Sequence, residues 1–271
     1  MGDIACDPTL SGFNNGVGTP TTCEQLATSD LAVNKGYAAV LGLGDLQYQM
    51  GAYSAFIGSY DLSWGRVKSI TKPAPGNHEY ETTGASGYYK YFGAAAGDPS
   101  KGYYSYDVGT WHLVALNSNC GVVSCSKGSA QETWLRADLA AHPAACTLVY
   151  WHHPMYSSGE HGDNPSVAAL YQAAYDGGVD VALAGHDHDY ERFAPQNPAG
   201  QVDTAKGIRE FVAGTGGKSH YAITTVHANS QVHNDNTFGV LELTLHTDSY
   251  DWKFHPIAGA TFTDSGTQRC H

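Results

Sequence analysis

Reactive side chains that directly follow short apolar runs are the feature of this sequence that most constrains its fold. The largely apolar run VDVALA, residues 179–184, leads into GHDHDYERF, which holds His186 and His188. A run without regular polar alternation is typical of a parallel-sheet strand, because both faces of that strand are covered. Two neighbouring histidines also arise by chance in a chain with 14 of them, so this pair alone defines no site.

Four other segments end in the same way, with polar side chains after a strand-like run. They are GDIACDP with Asp3, LGLGDLQY with Asp45 and Tyr48, PAPGNHEY with Asn77 and His78, and LVYWHHPMY with His152 and His153. Five segment ends therefore supply oxygen and imidazole groups. We expect these distant parts of the chain to converge at the carboxyl ends of the strands.

This mixture of side chains has the chemistry of two unlike metal sites. Carboxylate and phenolate oxygens suit a hard, highly charged ion, whereas imidazole and an amide oxygen suit a borderline divalent metal. Two cations about 3.5–4 Å apart repel each other unless anions lie between them, so one carboxylate must bridge them. Glycines precede the candidate ligands at Gly2, Gly44, Gly76 and Gly185, where they would let the backbone turn sharply.

Helical patterns alternate with the apolar runs, which is the signature of an α/β domain. The segment 129–143 opens with a capping box, Ser129 and Glu132, and stops before Pro143. Antiparallel strands are expected after residue 206. Further helices are predicted over 21–36, 52–67, 86–96 and 164–178, a loop over 72–80, and strands over 207–217, 238–245 and 249–257. No long linker or repeat interrupts the pattern, so we predict a single domain, residues 1–271.

In this order the blocks resemble those of the calcineurin-like metallophosphoesterases. The family pattern runs GD, GD, GNH followed by Asp or Glu, a histidine after an apolar strand, and GH-x-H, and the matching positions span residues 2 to 191. Tyr48, three positions after Asp45, resembles the purple acid phosphatase branch, in which a tyrosinate binds Fe(III). The resemblance implies a four-layer α/β/β/α sandwich of two mixed sheets, with helices outside and a dimetal site at the carboxyl ends of strands.

Carried over position by position, the resemblance implies two sets of ligands. The ferric site would take Asp3, Asp45, Tyr48 and His188, and the divalent site, for Zn, Mn or Fe(II), would take Asn77, His152 and His186. Asp45 would be shared between the two metals. His153 would either support a ligand from behind or simply be packed.

Two features at the start of the chain depart from the family pattern. The first block reads GDIA, where purple enzymes more often have GD-x-G, so the local turn is expected to differ. The chain begins at Met1 and Gly2, which leaves no residues for the strand that normally delivers the first aspartate. We therefore expect either a trimmed chain or weakened metal binding at Asp3.

The implied reaction is hydrolysis of phosphate monoesters, of the acid phosphatase type, by in-line attack of a metal-bound hydroxide. His78 is expected to hydrogen-bond a phosphate oxygen. His161, in SSGEHG, is proposed as the general acid for the leaving group, and its alternative is an exposed loop histidine. Glu79 would either orient His78 or be a solvated loop residue. Lys218 and His220 are candidates for contacts at the rim of the site.

Two other functions remain open from the sequence. One is a metal-dependent phosphodiesterase or nucleotide hydrolase of the same superfamily. The other is a non-catalytic protein that binds metal or phosphate. No candidate ligand position is lost, which argues against the second, although fold and ligands alone do not prove activity.

Composition limits the partners of the chain. The formal net charge is −12, from 26 acidic residues against 14 Lys and Arg, which disfavours a nucleic-acid scaffold or an anionic membrane as partner. No apolar stretch approaches membrane-spanning length, which predicts a soluble chain. The expected partner is a small-molecule phosphate ester, and the sequence does not indicate an oligomeric state.

Six cysteines form no C-x-x-C pair, so a zinc ribbon or thioredoxin-like motif is unsupported. Their spacing suggests Cys6 with Cys23 and Cys120 with Cys125, leaving Cys146 for Cys270, among 15 pairings that six cysteines allow. Such bridges would imply a secreted or extracytoplasmic protein, and six buried thiols in a cytosolic protein are the alternative. No signal peptide is recognisable, and we expect the sequence to represent a processed or trimmed form.

Overall fold

The computed structural model describes residues 1–271 and contains six α-helices and twelve strands. The helices are α1 (Gln25–Asp30), α2 (Tyr53–Gly58), α3 (Asn77–Tyr80), α4 (Ser86–Phe92), α5 (Ala130–Ala141) and α6 (Ala168–Asp176). The strands are β1 (Val40–Leu43), β2 (Thr71–Ala74), β3 (Tyr104–Val108), β4 (Trp111–Ala115), β5 (Cys146–Tyr150), β6 (Val181–Ala184), β7 (Tyr190–Phe193), β8 (Arg209–Ala213), β9 (Ser230–Asn234), β10 (Gly239–Leu245), β11 (Ser249–Pro256) and β12 (Ser265–Arg269).

A seven-stranded mixed sheet with the order β3-β4-β5-β6-β8-β7-β9 is the largest element of the fold. Its central strands β4, β5, β6 and β8 are parallel neighbours, and all of their residues are buried. This matches the unalternating apolar runs of the sequence, since both faces of a central parallel strand are covered. The carboxyl ends of β5 and β6 consequently open at the same edge.

Two smaller sheets lie over one face of the large sheet, where a second mixed sheet was expected. One is the parallel pair β1-β2, and the other is the antiparallel trio β10-β11-β12. One apolar core joins Leu43 of β1 and Phe254 of β11 to Leu148 and Phe211 of the large sheet. The second sheet is thus divided in two because β1 and β10 do not pair. A cavity of about 830 Å³ with a mostly apolar lining separates them.

Helices cover both outer faces. The core on the open face of the large sheet includes Leu135 of α5 and Tyr171 of α6. A third core, built around Phe56 of α2 and Tyr88 of α4, packs against residues near β1. The order from one side to the other is therefore helices, large sheet, small sheets, helices.

Several local predictions need correction. The predicted helix over 52–67 ends at Gly58 and continues as 3₁₀ turns, since the backbone leaves helical geometry at Ser59. The predicted loop over 72–80 holds both β2 and α3. Pro73 argued against a strand in the sequence, because proline lacks an amide donor. The strand β2 nevertheless forms, since it lies at the edge of its sheet and needs no donor on its outer side. Ser129 is confirmed as the N-cap, because its Oγ accepts from the Glu132 backbone amide. The predicted capping box is not formed, since the Glu132 carboxylate accepts from the Gly128 amide instead of the Ser129 amide.

All six cysteines are paired as predicted, Cys6–Cys23, Cys120–Cys125 and Cys146–Cys270. The third bridge joins residues 124 positions apart and ties the start of β5 to the carboxyl-terminal segment. None of the helices combines the length and the apolar character that a membrane crossing requires.

Candidate metal centre

The predicted ligands meet where loops leave β1, β2, β5 and β6, and where the first residues of the chain run beside β1. Asp3 is held in this position by its own backbone, since its amide donates to the Gly44 carbonyl at 3.2 Å. The neighbouring Gly2 amide donates to Ala213 O at 3.0 Å, at the end of β8. The amino-terminal segment thus bridges the two sheets and brings Asp3 to the common edge.

The other three side chains of the expected ferric set surround the Tyr48 hydroxyl. That oxygen lies 2.9 Å from Asp3 Oδ1, 3.2 Å from Asp45 Oδ2 and 2.9 Å from His188 Nε2. His188 Nε2 is 3.4 Å from Asp3 Oδ1. All four residues are buried. Two carboxylates, a phenol and an imidazole therefore converge, with their polar atoms 2.9–3.4 Å from one another in these contacts.

The other three predicted ligands gather around His152 Nε2. This nitrogen lies 3.0 Å from Asn77 Oδ1 and 3.2 Å from His186 Nδ1. It also lies 3.2 Å from Asp45 Oδ2, the same oxygen that faces Tyr48. Asp45 consequently belongs to both groups, as expected for a carboxylate shared between two cations.

The donor set fits a pair of unlike cations. One side offers carboxylate and phenol oxygens with one imidazole, and the other offers an amide oxygen with two imidazoles, which are the preferences of a hard ion and a borderline divalent ion. The nitrogens are also correctly oriented, because His152 Nδ1 is 2.8 Å from Leu43 O and His188 Nδ1 is 2.9 Å from Ser219 Oγ. With Nδ1 engaged in this way, Nε2 of each ring is left facing the centre.

Backbone conformation at the ligands is unusual. Asp3, Asp45 and His186 have positive φ angles of 60°, 48° and 73°. Such conformations are strained for residues with a side chain and cluster at functional sites. Gly76 has a different reason to lack a side chain, because a Cβ there would come within 2.1 Å of Asp45 Oδ1. Gly76 therefore allows the backbone to approach Asp45 closely, whereas the sequence suggested that it allows a sharp turn.

Glu79 organises the loops rather than the substrate. Its carboxylate is fully buried and accepts hydrogen bonds from the backbone amides of Asp45, Leu46, Gln47 and Gly76. The interpretation of Glu79 as a solvated loop residue is therefore wrong. It fixes the GD and GNHE loops to each other, and so fixes the position of Asp45.

The buried charges perturb one another strongly. Although burial acts in the opposite direction, charged His152 and the hydrogen bond from the His78 amide hold the pKa of the Asp45 carboxyl well below its usual range. Burial lowers the pKa of His152, but Asp45 outweighs it and raises that pKa to about 9. Burial, with Asp3 and Asp45 nearby, raises the pKa of the Tyr48 hydroxyl well above its ordinary value.

His78 and His161 lie at the margin of the centre. The His78 amide donates to Asp45 Oδ1 at 2.9 Å, and its Nε2 is 3.8 Å from Asp45 Oδ2. The ring of His161 stacks on His186 with centroids 4.3 Å apart, and its surface is exposed. Asp187 anchors His161 by accepting from its backbone amide at 2.8 Å. Both histidines thus border the open side of the predicted ligands.

His153 is a neighbour of the centre, not a remote packed residue. Its Nδ1 is 2.8 Å from Ser118 Oγ, and its ring lies 4.4 Å from that of His186. Burial and charged His152 lower the pKa of His153 to about 3, so its ring is neutral near pH 7. The structure therefore places His153 directly behind the second ligand group.

Sequence reasoning missed two residues at the site and misplaced one, His220. Tyr221 stacks on His188 with ring centroids 3.9 Å apart, and Ser219 faces Nδ1 of the same ring. Lys218 lies over the Tyr48 ring at 5.2 Å, whereas His220 turns inward and packs on Phe238. The segment KSHY carries no motif, so nothing in the sequence alone distinguished these residues.

Comparison with known proteins identifies the class of fold and site. The sequence profile of the family described as Calcineurin-like phosphoesterase matches residues 24–190, more than half of the 271 residues. The chain belongs to this family. The match begins after Asp3 and includes the other six predicted ligands.

Individual relatives are named acid phosphatases. The chain is 28% identical over 193 residues to Acid phosphatase type 7 of Danio rerio, covering 59% of this chain and 42% of that protein. It is 39% identical over 99 residues to Purple acid phosphatase 21 of Arabidopsis thaliana, covering 34% and 22%. The chain therefore matches less than half the length of either relative.

A solved structure supports the fold. The purple acid phosphatase PPD1 from yellow lupin (Lupinus luteus) seeds superposes with a TM-score of 0.73, covering 98% of this chain and 53% of that chain. Sequence identity over this superposition is 21%. Nearly the whole chain, including the antiparallel strands after residue 206, thus shares the fold of that structure.

Proposed function

We propose that this protein hydrolyses phosphate monoesters at a dinuclear metal centre of the purple acid phosphatase type. The observation that carries the proposal is the position of Asp45 Oδ2, 3.2 Å from both Tyr48 OH and His152 Nε2. One carboxylate oxygen common to an oxygen-rich group and a nitrogen-rich group is the arrangement that two adjacent cations require. The family match and the named relatives support phosphate-ester chemistry.

The proposed ligand assignment follows the two groups. Fe(III) would be held by Asp3, Asp45, Tyr48 and His188, and a divalent ion, Zn, Mn or Fe(II), by Asn77, His152, His186 and the shared Asp45. When bound, the two cations supply a water of lowered pKa and neutralise charge that grows on the phosphoryl group. Leu43 O and Ser219 hold the rings of His152 and His188 in the tautomer that leaves Nε2 available.

Two histidines act on the substrate in this proposal. His78 donates from Nε2 to a non-bridging phosphate oxygen, because Gln49 O, 2.5 Å away, engages its Nδ1. His161 delivers a proton to the leaving-group oxygen as the P–O bond breaks. Its exposed ring, stacked on His186, allows it to exchange that proton with solvent.

Further parts of the proposal concern the location, the domain organisation and the substrate of the protein. Three disulfides support a secreted or extracytoplasmic location, since such bridges persist in oxidising compartments. Residues 1–271 are proposed to form one catalytic domain, supported by hydrogen bonds that join His186 to Asp3 and Cys23 to Lys218. The substrate is proposed to be a small phosphate ester.

The test uses protein purified without added metal, analysed for metal content and visible absorbance. We expect a coloured protein with iron, from charge transfer between tyrosinate and Fe(III), and faster hydrolysis of aryl phosphates than of bis-aryl phosphates. Tyr48→Phe should abolish the colour, and Tyr221→Phe, which alters a ring stacked on His188 without removing a proposed ligand, should retain it. A colourless, iron-free enzyme that prefers diesters would instead establish the phosphodiesterase alternative.

A further inference from the structure

A second cluster of metal-ligating side chains lies outside the candidate centre. It comprises His112 on β4, Asp138 near the end of α5, and His142, which follows α5 directly. One ring nitrogen of each histidine and one oxygen of Asp138 all lie within 4.8 Å of one another. Asp107 of β3 adjoins the cluster, because it is the cross-strand partner of His112.

His112 is held between two carboxylates. Its Nδ1 is 2.8 Å from Asp107 Oδ1, and its Nε2 is 2.9 Å from Asp138 Oδ2. The ring is buried, and a neutral imidazole has only one N–H to donate. A neutral ring can therefore donate to only one of the two carboxylates, and a cation between Nε2 and Asp138 would satisfy the other contact.

The contact at Nδ1 is the one that metal-binding histidines usually make. A ligating histidine typically donates its other N–H to a carboxylate, which fixes the tautomer and orients the ring. Asp107 fills that role for His112. Asp138 is oriented in the same way, since Ser105 Oγ donates to its Oδ1 at 2.9 Å.

His142 completes the cluster and provides access. Its ring stacks on His112 with centroids 4.7 Å apart, and its Nδ1 lies 2.9 Å from Asp138 O and 3.4 Å from Asp138 Oδ1. Its side chain is 49% exposed, so it can turn its free nitrogen toward an entering ion. Two carboxylates beside two imidazoles, on a chain with a net charge of −12, also favour uptake of a cation.

The cluster is separate from the candidate centre. His112 is the second residue of β4, whereas Ser118, beyond the carboxyl end of that strand, contacts His153 at the centre. Six residues of extended chain at about 3.3 Å each separate the two by roughly 20 Å. The cluster therefore lies at the opposite, amino edge of the large sheet.

We propose that His112, Asp138 and His142 form a second metal site, specific for a borderline divalent cation such as Zn²⁺. Two imidazoles and one carboxylate are a donor set that zinc accepts, with water in the open position. Asp107 orients His112 from behind. The bound ion fastens the hairpin of β3 and β4 to the carboxyl end of α5, so its role is structural and does not depend on the proposed hydrolysis.

The test compares two exposed histidines by titration of the full-length protein with Zn²⁺ after loosely bound metal is removed. The variants are His142→Ala and the matched control His246→Ala. His246 is 47% exposed and pairs only with Asp251, at 2.9 Å. We expect the parent protein and His246→Ala to bind one more zinc ion than His142→Ala, and to gain thermal stability with zinc that His142→Ala does not gain.

Asp107→Asn provides a second measurement that does not depend on stoichiometry. It should retain the additional ion with an affinity roughly 10- to 100-fold weaker, the usual effect of losing an orienting partner. Equal zinc uptake by the parent and His142→Ala would overturn the proposal and leave the cluster as a metal-free network of hydrogen bonds. Hydrolysis rates, which these substitutions should not change, report separately on the proposed function.

Discussion

The two edges of the seven-stranded sheet hold histidine and carboxylate clusters built in different ways. At the carboxyl edge the side chains come from positions as distant as Asp3 and His188, and three of them have left-handed backbone conformations. At the amino edge Asp107, His112 and Asp138 come from one hairpin and one helix, with ordinary backbone geometry. The strained edge is the one whose residues match the phosphoesterase pattern.

Of the two clusters, the one at the carboxyl edge is the one with strained backbone. Loops beyond strand ends can adopt unfavourable conformations when buried contacts such as those of Glu79 hold them, and this preorganises a reactive site. Cross-strand and helix-turn neighbours meet without strain, which fits the structural role proposed for the amino-edge cluster. The experiments below test whether the edges are as independent as this comparison implies.

The largest effect is expected for Asp45→Asn at the carboxyl edge. Losing the shared carboxylate should remove several kcal/mol of transition-state stabilisation, roughly a 1,000-fold fall in kcat, together with bound metal. Asp251→Asn, at an exposed aspartate that pairs with His246, is the control. Steady-state rates and elemental analysis measure both quantities, and an active Asp45→Asn protein with full metal content would contradict the assignment.

Removal of the Cys146–Cys270 bridge should affect stability alone, because Cys146 lies at the amino edge. The double substitution to alanine should lower the free energy of unfolding by about 2–5 kcal/mol, since the bridge closes a long loop. The same change at Cys120 and Cys125, only five positions apart, should have a smaller effect. Denaturant titration measures the change in unfolding free energy, and steady-state kinetics measures kcat. A large fall in kcat would show that the two edges are coupled.

Substitution of two glycines with similar φ angles distinguishes the effect of backbone strain from that of steric crowding. Gly44, with φ of 80°, would place a Cβ 2.6 Å from His152 Nδ1, whereas Gly109, with φ of 61°, has open space around it. Gly44→Ala should displace His152 and reduce kcat roughly 100-fold. Gly109→Ala should cost only about 1–2 kcal/mol of unfolding free energy, with unchanged kcat. Similar kinetics for the two variants would refute the distinction.

His161→Ala should give an effect that depends on the substrate. Esters with poor leaving groups should slow roughly 100-fold, because their alkoxide requires a proton, whereas aryl phosphates should change little. The comparison of kcat for an alkyl and an aryl phosphate measures this. Equal losses on both substrates would assign His161 to substrate binding or structure instead of proton donation.

Local patterns determined a large part of this protein. The strand-end motifs identify Asp45, Asn77 and His152 as candidates. The spacing of the cysteines suggests two of the disulfides and leaves Cys146 and Cys270 for the third. Ser129 also marks the start of α5 correctly as its N-cap. These features depend on neighbouring residues or on characteristic spacings, so they can be read without a structure.

Contacts between these segments could be identified only from the tertiary structure. Asp3 contacts His188, which is 185 positions away in sequence. Glu79 is buried and accepts hydrogen bonds from four backbone amides. Tyr221 stacks on His188, although no sequence motif marks it. The same holds for His112, which gains its significance from a helix that packs beside its strand. Contacts between residues distant in sequence depend on packing of the whole chain, and no local pattern encodes them.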